Sequence, residues 1–491
     1  MSSPRNAVVS SLAFALVLFG FSRAASATTY VVSPTSGNPN LGSVISKLQP
    51  GDLVEVEGGA QYPGDIHMTN NGAPGKPITF RGIAKNGKLP VISGGDYGMM
   101  LHANYLVFEN FEVKEAKGAG VLMKGNEVTV RHVVVHDCTN HGILGTDEET
   151  GNLLIEYSEL YKNGSGDRHH QIYVATDEDK FKGSVFRMQF NYLHDAKGGV
   201  SVKSRAERTE IYYNWIEGAE YQELDLIGAE EHDEGVARED ADVVGNVIRR
   251  TNGGAIARLG GDGSGQSKAR YRFVNNTFLM HPEGGFVFRA QDGLESIELE
   301  NNVMYREKGP NFGLVREEDA EWVGKTSNVY GSNNWVNRGT KMPSGVKDTV
   351  YGSDPGFTDK GAFNYLPKCS GPLVNAGTDT PTSPAKFPFP KPLALPAMSP
   401  VRSWLAVGAS VARTNAGVVD IGAFECASPP SLGPAPKSSA PFGLDGGTLN
   451  GIGKKKIAVA LLGVGGIAFL VFRRFKKRGV PSPETAKKAS A

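Results

Sequence analysis

The chain has 491 residues with 52 Lys+Arg balanced by 52 Asp+Glu, and it carries 62 Gly, 28 Pro and 3 Cys. That length can bury a large core without a disulfide framework, and the balanced charge leaves no polybasic footprint for nucleic acid. A nucleic-acid partner is therefore not expected.

Residues 1–27 have the three parts of a cleaved secretory signal: Arg5, an apolar run from Ala7 to Phe21, and the small-residue site "ASA" at Ala25–Ala27. The mature chain is expected to begin near Thr28, outside the cytoplasm. In "NLGSVISKLQPGD", Leu41, Val44, Ile45 and Leu48 recur at helical spacing before a Pro-Gly turn. This predicts a short amphipathic helix that caps the N-terminal end of the body.

The body itself is repetitive. An apolar-x-x-(small or Asn)-x-apolar pattern returns in "FENFEV", "VRHVVV", "IEYSEL", "MQFNYL", "IYYNWI", "VVGNVI", "FVNNTF" and "LENNVM". Its fourth position falls on Phe111, Val133, Ser158, Asn191, Asn214, Asn246, Asn276 and Asn302, at intervals of 22 to 33 residues. Short β-branched and aromatic segments at such intervals, punctuated by Gly and Asn, describe a solenoid of strands and exclude helical repeats. A second strand per repeat is visible in "HQIYVAT", "GGVSVKS", "QELDLIG", "GGAIARLG" and "GGFVFRAQ". The fold class is all-β, a right-handed parallel β-helix spanning residues 28–426, with the five Asn from Asn191 to Asn302 stacked at one corner.

Near the end of the body, the Pro-rich "TPTSPAKFPFPKPLALPAMSP" and "VVDIGAFEC" are expected to close the last coil. Cys369 and Cys426 are placed to pair in an oxidising compartment, and Cys138 to remain a buried apolar residue. Residues 427–453 are a Pro/Gly/Ser-rich spacer. In 454–478 the apolar run Ile457–Phe472 is flanked by "KKK" and "RRFKKR". At 1.5 Å per residue it covers roughly 24 Å, which snorkelling Lys and Arg can extend to a single membrane span. The larger basic block places the tail, 479–491, in the cytoplasm. An exported, monomeric body in the periplasm or at the cell surface, tethered by one C-terminal helix, is the expectation.

"LQPGDLVEVEGGAQYPGDI", "NGAPGKPITFRG" and "PVISGG" resemble the N-terminal coils of the pectate lyase-like superfamily, including family six polysaccharide lyases of the alginate lyase and chondroitinase B group. "PLVNAGT" with "VDIGAFE" resembles the usual end of such a domain. This resemblance, which covers most of residues 28–426, implies a polysaccharide-active protein.

Aligning the strands on their Gly-Gly leaders puts Lys203, Arg258 and Arg289 in one outward column, with Asp225 joining it if its strand shares the register. The basic cluster Lys203, Arg205 and Arg208 then becomes a wall suited to an acidic polymer. β-Elimination on a uronate needs the carboxylate neutralised, a base for the C5 proton and an acid for the leaving oxygen. The "VKS" and "GAIARLGG" segments look like the Lys and Arg motifs of the family six lyases, which implies Lys203 as base and Arg258 as acid. Arg205, Arg289 and His170 are candidate substrate-binding residues. Where those lyases hold Ca²⁺ on strands just ahead of the Lys, this chain has "DAKGG" with Asp195 alone. Glu223 and Asp225 are the candidate Ca²⁺ ligands instead, and the acidic insert Glu230–Asp240 reads as a solvated loop. A non-catalytic glycan-binding or adhesin-like β-helix is the alternative reading.

Overall fold

The computed structural model describes residues 27–426 and 432–434, apart from 229–238, 263–266, 292, 310–311, 318–327, 390 and 415–416. Apart from Ala27 and the strand Leu432–Pro434, which pairs antiparallel with Ala409–Ala412, the expected signal peptide, spacer and membrane span lie outside the described residues. Among those described, no helix is long and apolar enough to cross a membrane.

Three parallel sheets run the length of the body, and successive strands of each come from successive repeats. One coil illustrates the plan: Leu153–Glu156 lies in the first sheet, Glu159–Tyr161 in the second and Ile172–Ala175 in the third. Alternation within each strand sends Val202 inward and Lys203 outward, and the inward residues of all three sheets form one continuous core. At the N-terminal end, Leu41, Val44 and Leu48 are buried around the helix Gly42–Ile45, so the cap is a single turn. It covers an edge whose unpaired backbone groups would otherwise recruit another strand.

The corner between the first and second sheets is built from stacked amides. The Asn214 side-chain oxygen accepts the Asn191 backbone N–H at 2.9 Å, Asn246 does the same for Asn214 at 2.8 Å, and Asn276 for Asn246 at 3.0 Å. Asn302 and Asn334 continue the ladder at 2.9 Å per step. The repeat pattern stops one rung short, since Asn334 is not among its members. Residues just before the rungs adopt positive φ, at 52° for Tyr157, 57° for Phe190 and 59° for Tyr213. Their rings stack at 5.0 and 5.3 Å, which offsets part of the cost of that conformation.

The Pro-rich segment does not close the last coil. It runs back along the outer face of the first sheet as a strap, from the Glu298 coil to the His132 coil. Ser383 donates to Glu298 at 2.7 Å, Lys391 pairs with Glu210 at 2.8 Å, and the Phe389 ring centroid lies 3.8 Å from the Arg272 guanidinium. Trp404 donates to the Tyr157 carbonyl at 2.9 Å and stacks on His132. The reason is charge: this face carries Arg187, Glu210, Asp242 and Arg272 in one column, and Arg272 grips Asp242 through two hydrogen bonds. Proline covers such a face without adding N–H groups that need partners. "VVDIGAFEC" packs beside the amide corner, where Asn275 donates to the Asp420 and Gly422 carbonyls. Cys369 and Cys426 are bonded and Cys138 is buried and free, as expected.

Both the amide corner and the strap-covered face can be tested by substitution. Replacing Asn246 with Ala strips a rung from mid-ladder and leaves buried N–H and C=O groups unpaired, which should cost about 1–3 kcal/mol per group. Urea unfolding followed by circular dichroism should show the lowered midpoint. Beneath the strap, burial pushes the Glu298 and Glu300 carboxyls up to about 7 from 4.5. A raised folded-state value means that the native chain binds the extra protons, so stability should fall as pH rises from about 5 through 7. Glu298→Gln should flatten that slope and raise the melting temperature at pH 8.

Candidate functional site

The third sheet presents the charged column on its outer face. Register pairs Tyr173 with Lys203, Lys203 with Asp225, Asp225 with Arg258, Arg258 with Arg289, and Arg289 with Arg316. At about 4.8 Å per coil, Lys203 to Arg316 covers roughly 19 Å. Lys203, Arg258, Arg289 and Asp225 therefore share one line. Tyr173 and Arg316, at the same strand position in "HQIYVAT" and "FGLVREE", extend it at either end and are found by carrying the register one coil further each way.

Lys203 occupies the boundary between two environments. On one side its ammonium lies 4.8 Å from the Tyr173 ring centroid, and Tyr173 is flanked by His141 and His170 with centroids at 5.8 and 5.7 Å. On the other side stand Asp225 and the arginines. Burial lowers the Lys203 ammonium below its usual 10.5, and Arg205 and Arg258 add to this against the pull of Asp225 and Asp262. A lysine so placed surrenders its proton more readily than one in water, which a general base requires.

The imidazoles on the first side are neutral. His141 Nδ1 accepts the His170 backbone N–H and His170 Nδ1 accepts the Val200 N–H, each at 3.1 Å, so in both rings the proton sits on Nε2. Burial, with neighbouring cationic groups, holds His141 down to about 4 and His170 to about 2. His170 is thus not a surface ligand as expected; it is 3 % exposed and pins the corner before the Val202–Arg205 strand. His141 carried no signal beyond its position one coil earlier.

Arg258 directs Nε and Nη2 at the two Asp225 oxygens in a bidentate pair, with Nε 2.5 Å from Oδ1. A guanidinium held this way stays charged and suits binding of a carboxylate, not proton donation as the family resemblance implied. Arg205 also departs from expectation. It is 3 % exposed, because Asp262 at 2.6 Å and the Gly228 carbonyl draw it down against the loops of the next two coils. It shapes the Lys203 surroundings from below and is not presented on the outer face beside Lys203.

The two candidate Ca²⁺ ligands are likewise spoken for. Glu223 is fully buried and accepts from Ser201 Oγ at 2.7 Å, the Ala219 N–H at 3.2 Å and Arg250 at 3.2 Å. Asp225 is committed to Arg258. The two carboxylates are each matched to an arginine, so they do not converge on a cation, and no group of three or more His, Cys, Asp or Glu suited to a metal occurs among the described residues. Of the acidic insert, Asp240 opens the strand Asp240–Val244 and accepts from Arg270 Nε at 3.0 Å instead of lying in a loop; residues 230–238 lie outside the described part. A cleft of about 680 Å³ beneath the N-terminal cap, lined by Tyr62, Asp65 and His67, shares no residue with this column.

Arg205→Ala should remove the buried cation that Asp262 and the Gly228 carbonyl hold and lower stability by about 3 kcal/mol. Thermal melts should register that loss.

The model for a right-handed β-helix region matches residues 66–248. A search of curated proteins gives no match. Among solved structures, the chain is similar to pectate lyase Pel9A at 15 % identity and TM-score 0.45, covering 82 % of this chain and 97 % of that one. It is similar to an alginate lyase from Paenibacillus sp. str. FPU-7 at 16 % and 0.39, over 60 % and 99 % of the two chains. It is also similar to a family six polysaccharide lyase from Pseudopedobacter saltans at 12 % and 0.41, over 63 % and 89 %. Coil topology and the matched family model together identify the body as a right-handed parallel β-helix.

Proposed function

We propose that this protein is an exported, membrane-tethered polysaccharide lyase that cleaves an acidic, uronate-containing glycan by β-elimination. The observation that carries the reading is Lys203: an outward lysine, half-buried, with its ammonium destabilised, at the edge of a row of arginines. Arg289 and Arg316, with Arg258 fixed by Asp225, supply positive groups at coil spacing for the carboxylates of an acidic chain. Neutralising the C5 carboxylate makes the neighbouring proton removable, and Lys203 removes it. The Cys369–Cys426 bond supports an oxidising compartment, and the N-terminal apolar run and the basic-flanked C-terminal run support export and tethering.

A glycan-binding protein without turnover is the other reading, and the same experiment separates the two. The body is incubated with alginate, pectate and chondroitin while ultraviolet absorbance of the unsaturated product is followed. Wild type should generate product from at least one of them, and Lys203→Ala should abolish kcat while the melting temperature holds, since an outward side chain leaves no core cavity. Binding without product in wild type would favour the second reading; neither binding nor product would remove both.

A further inference from the structure

The elimination needs a proton for the leaving oxygen, and the arginine implied for that task is committed elsewhere. Both Asp225 oxygens hold Arg258, and a guanidinium with its high proton affinity does not release a proton near neutrality. The imidazoles beside Lys203 have their Nδ1 atoms occupied by backbone N–H groups and remain in one neutral tautomer, a weak acid. Another group stands beside the base. Tyr173 precedes Lys203 by one coil in the same outward column, and its ring lies under the Lys203 ammonium at 4.8 Å.

We propose that Tyr173 is the catalytic acid of this site, donating its phenolic proton to the oxygen that departs from C4. The inference rests on the lyase reading above. In the step, Lys203 Nζ takes the proton from C5, the freed electron pair forms the C4–C5 double bond, and the C4–O4 bond breaks toward oxygen. That oxygen takes the Tyr173 proton. The resulting phenolate lies beside the newly formed Lys203 ammonium, and transfer of one proton from Lys203 to Tyr173 restores both groups. No oxidant or further reactant enters, and the product pair is an unsaturated uronide and a new free hydroxyl.

The arrangement also orients the substrate. The sugar that leaves sits on the Tyr173 side, while the uronate losing its proton sits toward Arg258 and Arg289. Carboxylates are therefore needed on one side of the scission only, and a neutral sugar is tolerated on the other.

The test uses Tyr173→Phe, which keeps the ring and its contact with Lys203 and removes only the hydroxyl. Two substrates are compared: the polysaccharide that wild type cleaves, and a synthetic uronide bearing 4-nitrophenoxide at C4, a leaving group that needs no proton. Loss of an acid should lower kcat on the polymer by about 100-fold or more and leave the nitrophenyl substrate within a few-fold of wild type. Lys203→Ala should be inactive on both. Equal losses by Tyr173→Phe on the two substrates, or no loss on the polymer, would overturn the assignment while leaving the lyase reading intact. Absence of unsaturated product with wild type on either substrate would sink the lyase reading and this inference together.

Discussion

Coil-to-coil hydrogen bonding sets the position of every outward side chain in this protein. Parallel strands from successive repeats share one register, so a residue in one coil stands directly above its counterpart in the next, whatever the loop between them contains. The amide ladder keeps that register from slipping. Each rung from Asn191 to Asn334 accepts the backbone N–H of the preceding rung, or donates its own amide to the preceding carbonyls, in a corner buried from solvent. A slip by one residue would bury Lys203 and expose Val202.

With register secured, the outer faces become columns, and charge decides their fates. On the first sheet, acids and bases pair across neighbouring coils: Arg187 with Glu210, Arg272 with Asp242, Arg270 with Asp240. Charges paired in this way can be covered, and the proline-rich strap covers them, with Phe389 against three arginines. On the third sheet the order of charges is Lys203, Asp225, Arg258, Arg289 and Arg316, with a single acid among four bases. Within the column itself the bases outnumber the acid. The carboxylates of the acidic polymer proposed above would meet cations held at fixed intervals by the backbone.

Burial then differentiates residues that look alike in the chain. Lys203, Arg205 and Arg208 are close in sequence and all basic. Arg208 lies under the strap against Asp242 and Phe389, Arg205 is drawn under Asp262, and Lys203 alone of the three stands on the outer face of the third sheet beside Tyr173. The two arginines serve the fold, and one of them lowers the proton affinity of the third member by its charge.

The solenoid, its repeat interval, the amide corner, the short helical cap, the cysteine pair and the alignment of Lys203 with Arg258 and Arg289 were all legible in the sequence. The reason is that a β-helix is nearly one-dimensional: period-two alternation and a recurring Asn encode each coil locally, and stacking adds only the repeat. Asn334 and Arg316 were not legible in this way, because Gly331 stands where the hexamer has an apolar residue and the Arg316 strand lacks the Gly-Gly leader. What tertiary structure alone decided were contacts between elements with no fixed separation in the chain. The strap lies 181 residues from Glu210 when it reaches it through Lys391, and Asp262 lies 57 residues from Arg205. Neither pairing has a period to betray it. Whether an outward residue faces solvent, a strap or a partner depends on those long-range contacts, and so the column was visible in the chain while the division of labour along it was not.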